Sequence, residues 1–228
     1  MNDCFVKELC KKYSRDKSCD NSNFCIKLFK LEELYDQALL SKSQRKRIGL
    51  VLDSDLSDQQ AFEQLSKIET NILDFVNEGK NLFIYSNNVG NGKTSWSIRM
   101  IQSYLNKIWP ESNLSCRALF VNVPRFLLTL KDSISNSSDY INHIKQYVLD
   151  VDLVVWDEIG VKSLTTYEHE HLLNLINTRI DKNKSNIYTS NLFGNELQEK
   201  VGERLYSRIT NLSTNIELVG QDKRGIVQ

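Results

Sequence analysis

One short stretch limits this chain more than any other. It is Asn87-Asn88-Val89-Gly90-Asn91-Gly92-Lys93-Thr94, with the apolar run Leu82–Tyr85 before it and a helix-patterned segment, Lys93–Ile108, after it. A strand that turns through a glycine-bearing loop into a helix gathers successive backbone N–H groups and the positive end of the helix dipole at one point. That point suits phosphate. The spacing fits the phosphate-binding loop at every fixed place but the first, where Asn87 replaces glycine. Asn tolerates positive φ best after Gly, so the substitution is mild. Gly90 and Gly92 permit close approach of the backbone. The expected cradle is Asn88, Val89, Gly90, Asn91, Gly92, Lys93, Thr94 and Ser95, with Lys93 reaching the β- and γ-phosphates and Thr94 giving its hydroxyl to Mg²⁺.

The rest of the chain has to supply a sheet for that loop. Apolar runs without helical period recur at Ala118–Val123, Leu153–Trp156, Ile187–Thr189 and Asn215–Val219, with helix-like segments between them such as Pro124–Ser133 and Glu168–Ile180. This alternation predicts an α/β fold whose mainly parallel sheet is covered on both faces. Ser57 and Gln60 are placed to form a capping box for a helix running through Ala61, Leu65, Ile68, Ile72, Phe75 and Val76, with Gly79 closing it. With 228 residues, 40% apolar and 25% charged, there is material for one sizeable core and a small appendage. No apolar run approaches the roughly 18 residues needed to span a bilayer, and Met1-Asn2-Asp3-Cys4 does not start a secretory signal, so a soluble, cytoplasmic protein without a membrane partner is expected.

Leu153-Val154-Val155-Trp156 ends in Asp157-Glu158. A carboxylate at the end of a strand near the loop can hold Mg²⁺, directly or through water, which is the role expected of Asp157. Glu158 can polarise a water beside the γ-phosphate. Binding alone requires no such glutamate, so the pair points to ATP hydrolysis. A small-molecule kinase on the same loop would need an acceptor pocket and a basic lid, and neither is visible. A third possibility is an adaptor that uses ATP only as a structural ligand.

The series Gly90–Thr94, Trp156-Asp157-Glu158-Ile159-Gly160, Thr189-Ser190-Asn191 and Gly202-Glu203-Arg204-Leu205-Tyr206-Ser207-Arg208 resembles the DnaC/DnaI-type AAA+ helicase loaders, with IstB transposition helpers and the initiator DnaA as relatives. The resemblance spans roughly residues 55–224. It implies an AAA+ P-loop core with a parallel five-stranded sheet. It also implies that Asn191 senses the γ-phosphate and that Arg208, or Arg204 one turn earlier, enters the site of an adjacent subunit. Activity would then need a homo-oligomer. Only Gly220–Gln228 follow the last strand, too few for a helical lid, which favours the lidless loader branch over DnaA-like proteins. A replicative DnaB-type helicase and single-stranded DNA are the partners this implies, with recruitment of a transposase as the nearest alternative. In loaders and initiators the segment after the acidic strand lines a DNA channel. Here Lys162 and Thr165 could meet phosphate and Tyr167 could stack on a base or pack into its own helix.

Four of the five cysteines, Cys4, Cys10, Cys19 and Cys25, fall within the first 25 residues. In a reducing compartment they read as a structural Zn²⁺ site or as four reduced thiols. The domain reading is therefore a zinc-binding, helicase-contacting head with an amphipathic helix over 1–48 and an ATPase unit over 49–228. Lys and Arg balance Asp and Glu at 29 each, but residues 1–48 carry eleven basic and seven acidic groups, densest at Lys42–Arg47, which reads as a solvated linker. His169-Glu170-His171 is a poor metal motif, because residues two apart on a helix face different ways, and reads as a solvated helix start.

Overall fold

The computed structural model describes residues 22–46, 49–50, 57–132 and 138–222. Cys4, Cys10 and Cys19 lie outside them. The strands are β1 (Asn81–Tyr85), β2 (Ala118–Asn122), β3 (Leu153–Asp157), β4 (Ser185–Ser190) and β5 (Thr214–Glu217). All pair in parallel, in the order β2-β3-β4-β1-β5. The helices are α1 (Ser22–Gln37), α2 (Gln59–Thr70), α3 (Ile72–Asn77), α4 (Lys93–Ile108), α5 (Val123–Asp132), α6 (Asp139–Tyr147), α7 (Thr166–Asp181), α8 (Gly194–Val201) and α9 (Glu203–Asn211).

Alternation along each strand divides the interior in two. Leu82, Ile84, Ala118, Phe120, Leu153, Val155 and Ile187 face a cluster completed by α1 to α4, whereas Phe83, Leu119, Val121, Val154, Trp156 and Tyr188 face α5 to α9. The result is three layers with the sheet in the middle, as the alternating pattern predicts.

The helix expected on the N-terminal head shares the first of these cores. Leu31, Leu34, Tyr35 and Ala38 recur at helical spacing and are buried with Leu40 against α4 and the sheet. Burial of each leucine contributes about 1.5–3 kcal/mol. The basic run beyond is a pinned turn. Arg45 Nε donates to Leu40 O (2.9 Å), its terminal nitrogens pair with Glu32 and Asp36, and Gln102 on α4 holds the carbonyls of Gln44 and Lys46. Lys42–Lys46 is thus fastened to the core, contrary to the linker expectation.

Two other expectations need correction. The helix drawn from Ala61 through Val76 is broken at Asn71, where Asn71 Nδ2 donates to Lys67 O (2.9 Å) and Thr70 Oγ1 to Ser66 O (2.9 Å). Such side chains compete for backbone carbonyls and loosen helix ends. The expected capping box also fails: α2 starts at Gln59 with Asp58 at its N-cap and no side-chain cap. The Asp58 carboxylate instead accepts from the N–H groups of Val219 (2.7 Å) and Gly220 (3.1 Å).

β4 runs through polar residues at both ends because each has a buried partner. Arg179 on α7, fully buried, donates from Nε to Asn186 Oδ1 (2.8 Å), from Nη1 to the carbonyls of Val148 (2.6 Å) and Val151 (2.9 Å), and from Nη2 to Ser185 O (2.6 Å). Trp156 Nε1 shares Asn186 Oδ1, and Asn186 Nδ2 reaches Asn81 Oδ1. Burial pulls the guanidinium pKa down to about 9, still protonated at neutral pH. Arg179→Met removes the side-chain donor from the Val148, Val151 and Ser185 carbonyls and leaves Asn186 Oδ1 to Trp156 alone, and is expected to cost about 3–5 kcal/mol of stability in urea denaturation. A loss below about 1 kcal/mol contradicts a stapling role for this arginine.

Candidate functional site

The order β3-β4-β1 brings three strand ends to one edge of the sheet, and the loop after β1 curls over them into α4. Gly90 (φ 74°) and Gly92 (φ 106°) occupy the left-handed region, where a side chain is strained. Asn87 does not, so its replacement of glycine requires no unusual backbone. The cleft is lined by Gly90, Asn91, Gly92, Lys93, Thr94, Ser95, Glu158, Thr189, Ser190 and Asn191. Val89 lies at the exposed tip of the loop. Asn88 N donates to Ser86 Oγ (3.0 Å), which also accepts from Asn91 Nδ2 (2.5 Å). The buried Lys93 ammonium donates to Asn88 O (2.7 Å) and Asn91 Oδ1 (3.1 Å), two neutral acceptors that a phosphate oxygen outcompetes.

Asp157 closes the far side. Its Oδ1 accepts from Thr94 Oγ1 (2.9 Å) and Thr189 Oγ1 (2.7 Å), so one oxygen joins α4, β3 and β4. The Thr189 hydroxyl in turn accepts from Glu158 N (2.9 Å). Glu158 has φ 63°, a strained conformation for a non-glycine residue, of the kind that collects at functional sites. Its Oε2 accepts from Asn122 Nδ2 (2.9 Å), and Asn122 Oδ1 accepts from Arg125 N (3.1 Å). Thr94 and Asp157 are the donor set a Mg²⁺ ion takes, one hydroxyl and one carboxylate oxygen already side by side. Glu158 is a carboxylate at the cleft wall, held by Asn122 and able to accept a proton from water once that amide releases it.

Of the sequence-predicted residues, Gly90–Ser95, Glu158 and Asn191 line the cleft and Asp157 is bonded to Thr94 at its edge, whereas Asn88 and Val89 do not line it. Thr189 and Asn122 were missed, although a polar residue follows the apolar part of each strand (Asn122, Asp157, Thr189). Asn122 stands beside Asp157 in the sheet register. Arg204 and Arg208 are exposed on α9, four residues apart, and neither lines this chain's own cleft.

The segment after β3 is occupied with capping. Thr165 caps α7 in a reciprocal box with Glu168 (Thr165 N to Glu168 Oε2, 2.9 Å), and Lys162 Nζ pairs with Glu168 Oε1 at 2.6 Å. Burial pushes that carboxyl up, but Lys162 and the Thr165 donors outweigh it and its pKa falls. Tyr167 is more than half exposed and lies against His171, which is also flanked by Phe126. His169 packs on Gly202. The histidines are thus part of a packed seam and not a solvated start. Elsewhere, His143 Nε2 donates to Gln37 O (2.7 Å) beside Cys116, whose thiol burial pushes up to about 12, which makes it a poor nucleophile. Cys25 is buried on α1, and no group of metal-binding side chains forms among the described residues. No helix among them is long and apolar enough to cross a membrane.

A family model described as IstB-like ATP binding protein matches residues 29–216. The crystal structure of the DnaC helicase loader superposes with a TM-score of 0.61 at 19% identity, covering 78% of this chain and 99% of that one. A putative primosome component from Streptococcus pyogenes serotype M3 gives 0.59 at 22% identity, covering 84% and 98%. The fold is thus that of the AAA+ loaders. Among curated relatives, the chromosomal replication initiator protein DnaA of Buchnera aphidicola subsp. Baizongia pistaciae is 25% identical over 72% of this chain, which spans about a third (36%) of that protein's length.

The buried carboxylate has a consequence for stability. Burial, the largest influence, holds the Asp157 pKa above the usual carboxylate range; the Thr189 and Thr94 hydroxyls oppose the shift, and the neighbouring Glu158 charge adds to it. A carboxyl with a higher pKa folded than unfolded binds its proton more tightly in the native state. Its ionised form weighs against folding at neutral pH, and the penalty is relieved as pH falls through the raised value. Asp157→Asn keeps an oxygen for both threonines and removes the charge. In metal-free, nucleotide-free buffer at neutral pH it is expected to melt a few degrees above the unsubstituted protein, with the difference shrinking on acidification; a lower melting temperature contradicts this.

Proposed function

The chain belongs to the IstB-like ATP-binding family, and on that premise we propose that it is an ATPase that loads a replicative DnaB-type helicase onto single-stranded DNA. The observation that carries the catalytic part is the Glu158 carboxylate, placed beside the phosphate loop in a strained backbone and held by a releasable amide. A protein that only bound ATP would not need it.

Lys93 and the loop N–H groups hold the β- and γ-phosphates, and Thr94 and Asp157 hold Mg²⁺ directly or through water. When bound, Mg²⁺ would supply positive charge that offsets the charge building up on the phosphates. Asn191 orients the γ-phosphate and the attacking water through a neutral amide that does not compete for the metal. Glu158, freed from Asn122, takes the water proton. Arg208 supplies positive charge to the site of a neighbouring copy, with Arg204 on the same helix face as the second candidate. Hydrolysis has no visible acceptor other than water, so its product in function is a change of grip on partners.

Support for the loader role comes from the superposed folds of a helicase loader and a primosome component. The resemblance to the IstB transposition helpers carries a second reading, a helper that recruits a transposase. Comigration with a DnaB-type helicase in gel filtration supports the loader, and assembly along duplex DNA supports the helper. In the loader reading Tyr167 offers a ring to DNA bases, Lys162 and Thr165 contact the backbone after or alongside their capping role, and the cysteine segment is a zinc-bound head that contacts the helicase in the cytoplasm. Metal analysis of the full chain, with about one zinc per chain expected, tests the last point.

Two substitutions separate chemistry from binding. Glu158→Gln is expected to retain ATP and lose turnover by about 100-fold or more, whereas Lys93→Ala loses ATP binding itself. Arg208→Ala is expected to bind ATP normally and lose turnover by about 10³-fold. Mixing Arg208→Ala with Glu158→Gln should restore part of the activity, because one retains an intact cleft and the other an intact arginine. Failure of the mixture to exceed either variant alone speaks against an arginine acting between copies.

A further inference from the structure

The phosphate loop is fastened to the chain that follows β5. Asn91 Nδ2 donates to Leu218 O (3.0 Å), and Asn88 Nδ2 donates to Val219 O (3.0 Å) and Gly220 O (3.3 Å). From the other side, the Asp58 carboxylate accepts the N–H groups of Val219 and Gly220. Leu218 N continues the ladder to Tyr85 O (2.9 Å), immediately before the loop. Two residues beyond Gly220, the Asp222 carboxylate sits against Gly90, so closely that a Cβ at Gly90 would overlap it.

We infer that Leu218–Asp222 is a nucleotide-responsive strap, latched to the loop by Asn88 and Asn91, whose Asp222 carboxylate opposes entry of phosphate. The inference rests on the nucleotide-binding reading above and concerns how that site is regulated. Its physical basis is a conflict between two occupants of one loop. Lys93 donates to Asn88 O and Asn91 Oδ1, on the same two asparagines that hold the strap. A nucleotide draws the ammonium to its phosphates and brings several negative charges close to Asp222. The latch residues lose their lysine partner while the strap's carboxylate acquires like-charged neighbours. Both changes loosen the strap, and by reciprocity the closed strap weakens phosphate binding.

Calorimetric titration of the full chain with MgADP and, separately, with adenosine tests this. Asp222→Asn is expected to bind MgADP roughly 3- to 10-fold more tightly than the unsubstituted chain at low salt, with the gain fading as salt rises, and to bind adenosine unchanged. Hydrogen exchange at the Val219 and Gly220 amides, held by Asp58, should quicken when MgADP is added and should be quick without it in Asn88→Ala/Asn91→Ala. An Asp222→Asn variant with unchanged MgADP affinity, or with an equal gain for adenosine, overturns the electrostatic strap while leaving the nucleotide site in place. If neither chain binds MgADP, the site reading fails and takes the strap with it. Unchanged exchange at these two amides on adding MgADP overturns the coupling.

Discussion

A single oxygen holds the candidate site together. Asp157 Oδ1 accepts two threonine hydroxyls, one from the first turn of α4 and one from β4, and this fixes the distance between the phosphate loop and the acidic end of β3. The cost is a charge kept out of water, which two neutral hydroxyls only partly offset. That cost makes sense where a divalent cation is to arrive. A hydrophobic residue there would pack well but would leave nothing to hold an ion. Thr189 extends the same chain of bonds to the Glu158 N–H, so the strained backbone of the general-base candidate is set by the same residue that orients the metal-binding candidate.

Much of the frame could be read in advance because it depends on short-range patterns. Apolar runs located all five strands, and the loop motif placed the start of α4 at Lys93, where the helix indeed begins. What escaped notice depends on partners distant in sequence. Ser185 and Asn186 look like loop residues until Arg179 and Trp156 are brought beside them by the fold. Lys42–Lys46 looks like a solvated linker because nothing local shows that Gln102 and Glu32 will hold it. Asp58 is read as part of a helix start, yet its carboxylate is used on backbone more than 160 residues away.

The site itself divides along the same line. Lys93, Thr94, Asp157 and Glu158 belong to contiguous motifs whose spacing carries their chemistry. Asn122 is one side chain at the end of another strand, and only the β2–β3 register puts it beside the acidic pair. Its amide holds the Glu158 carboxylate at the cleft wall and must release it before that carboxylate can take a proton from water. The proposed strap adds a second restraint on the opposite side of the loop, so the ligand-free protein holds both its lysine and its glutamate in internal contacts.

The proposed hydrolysis of ATP in the service of partner handling is open to a direct test. The direct measurement is phosphate release from ATP by the purified full chain, with no acceptor but water, alone and then with single-stranded DNA and a DnaB-type helicase together. Slow release by the chain alone, rising when both partners are present, is the expected result. Tight ATP binding with no phosphate release under any of these conditions would contradict it and would leave ATP as a structural ligand.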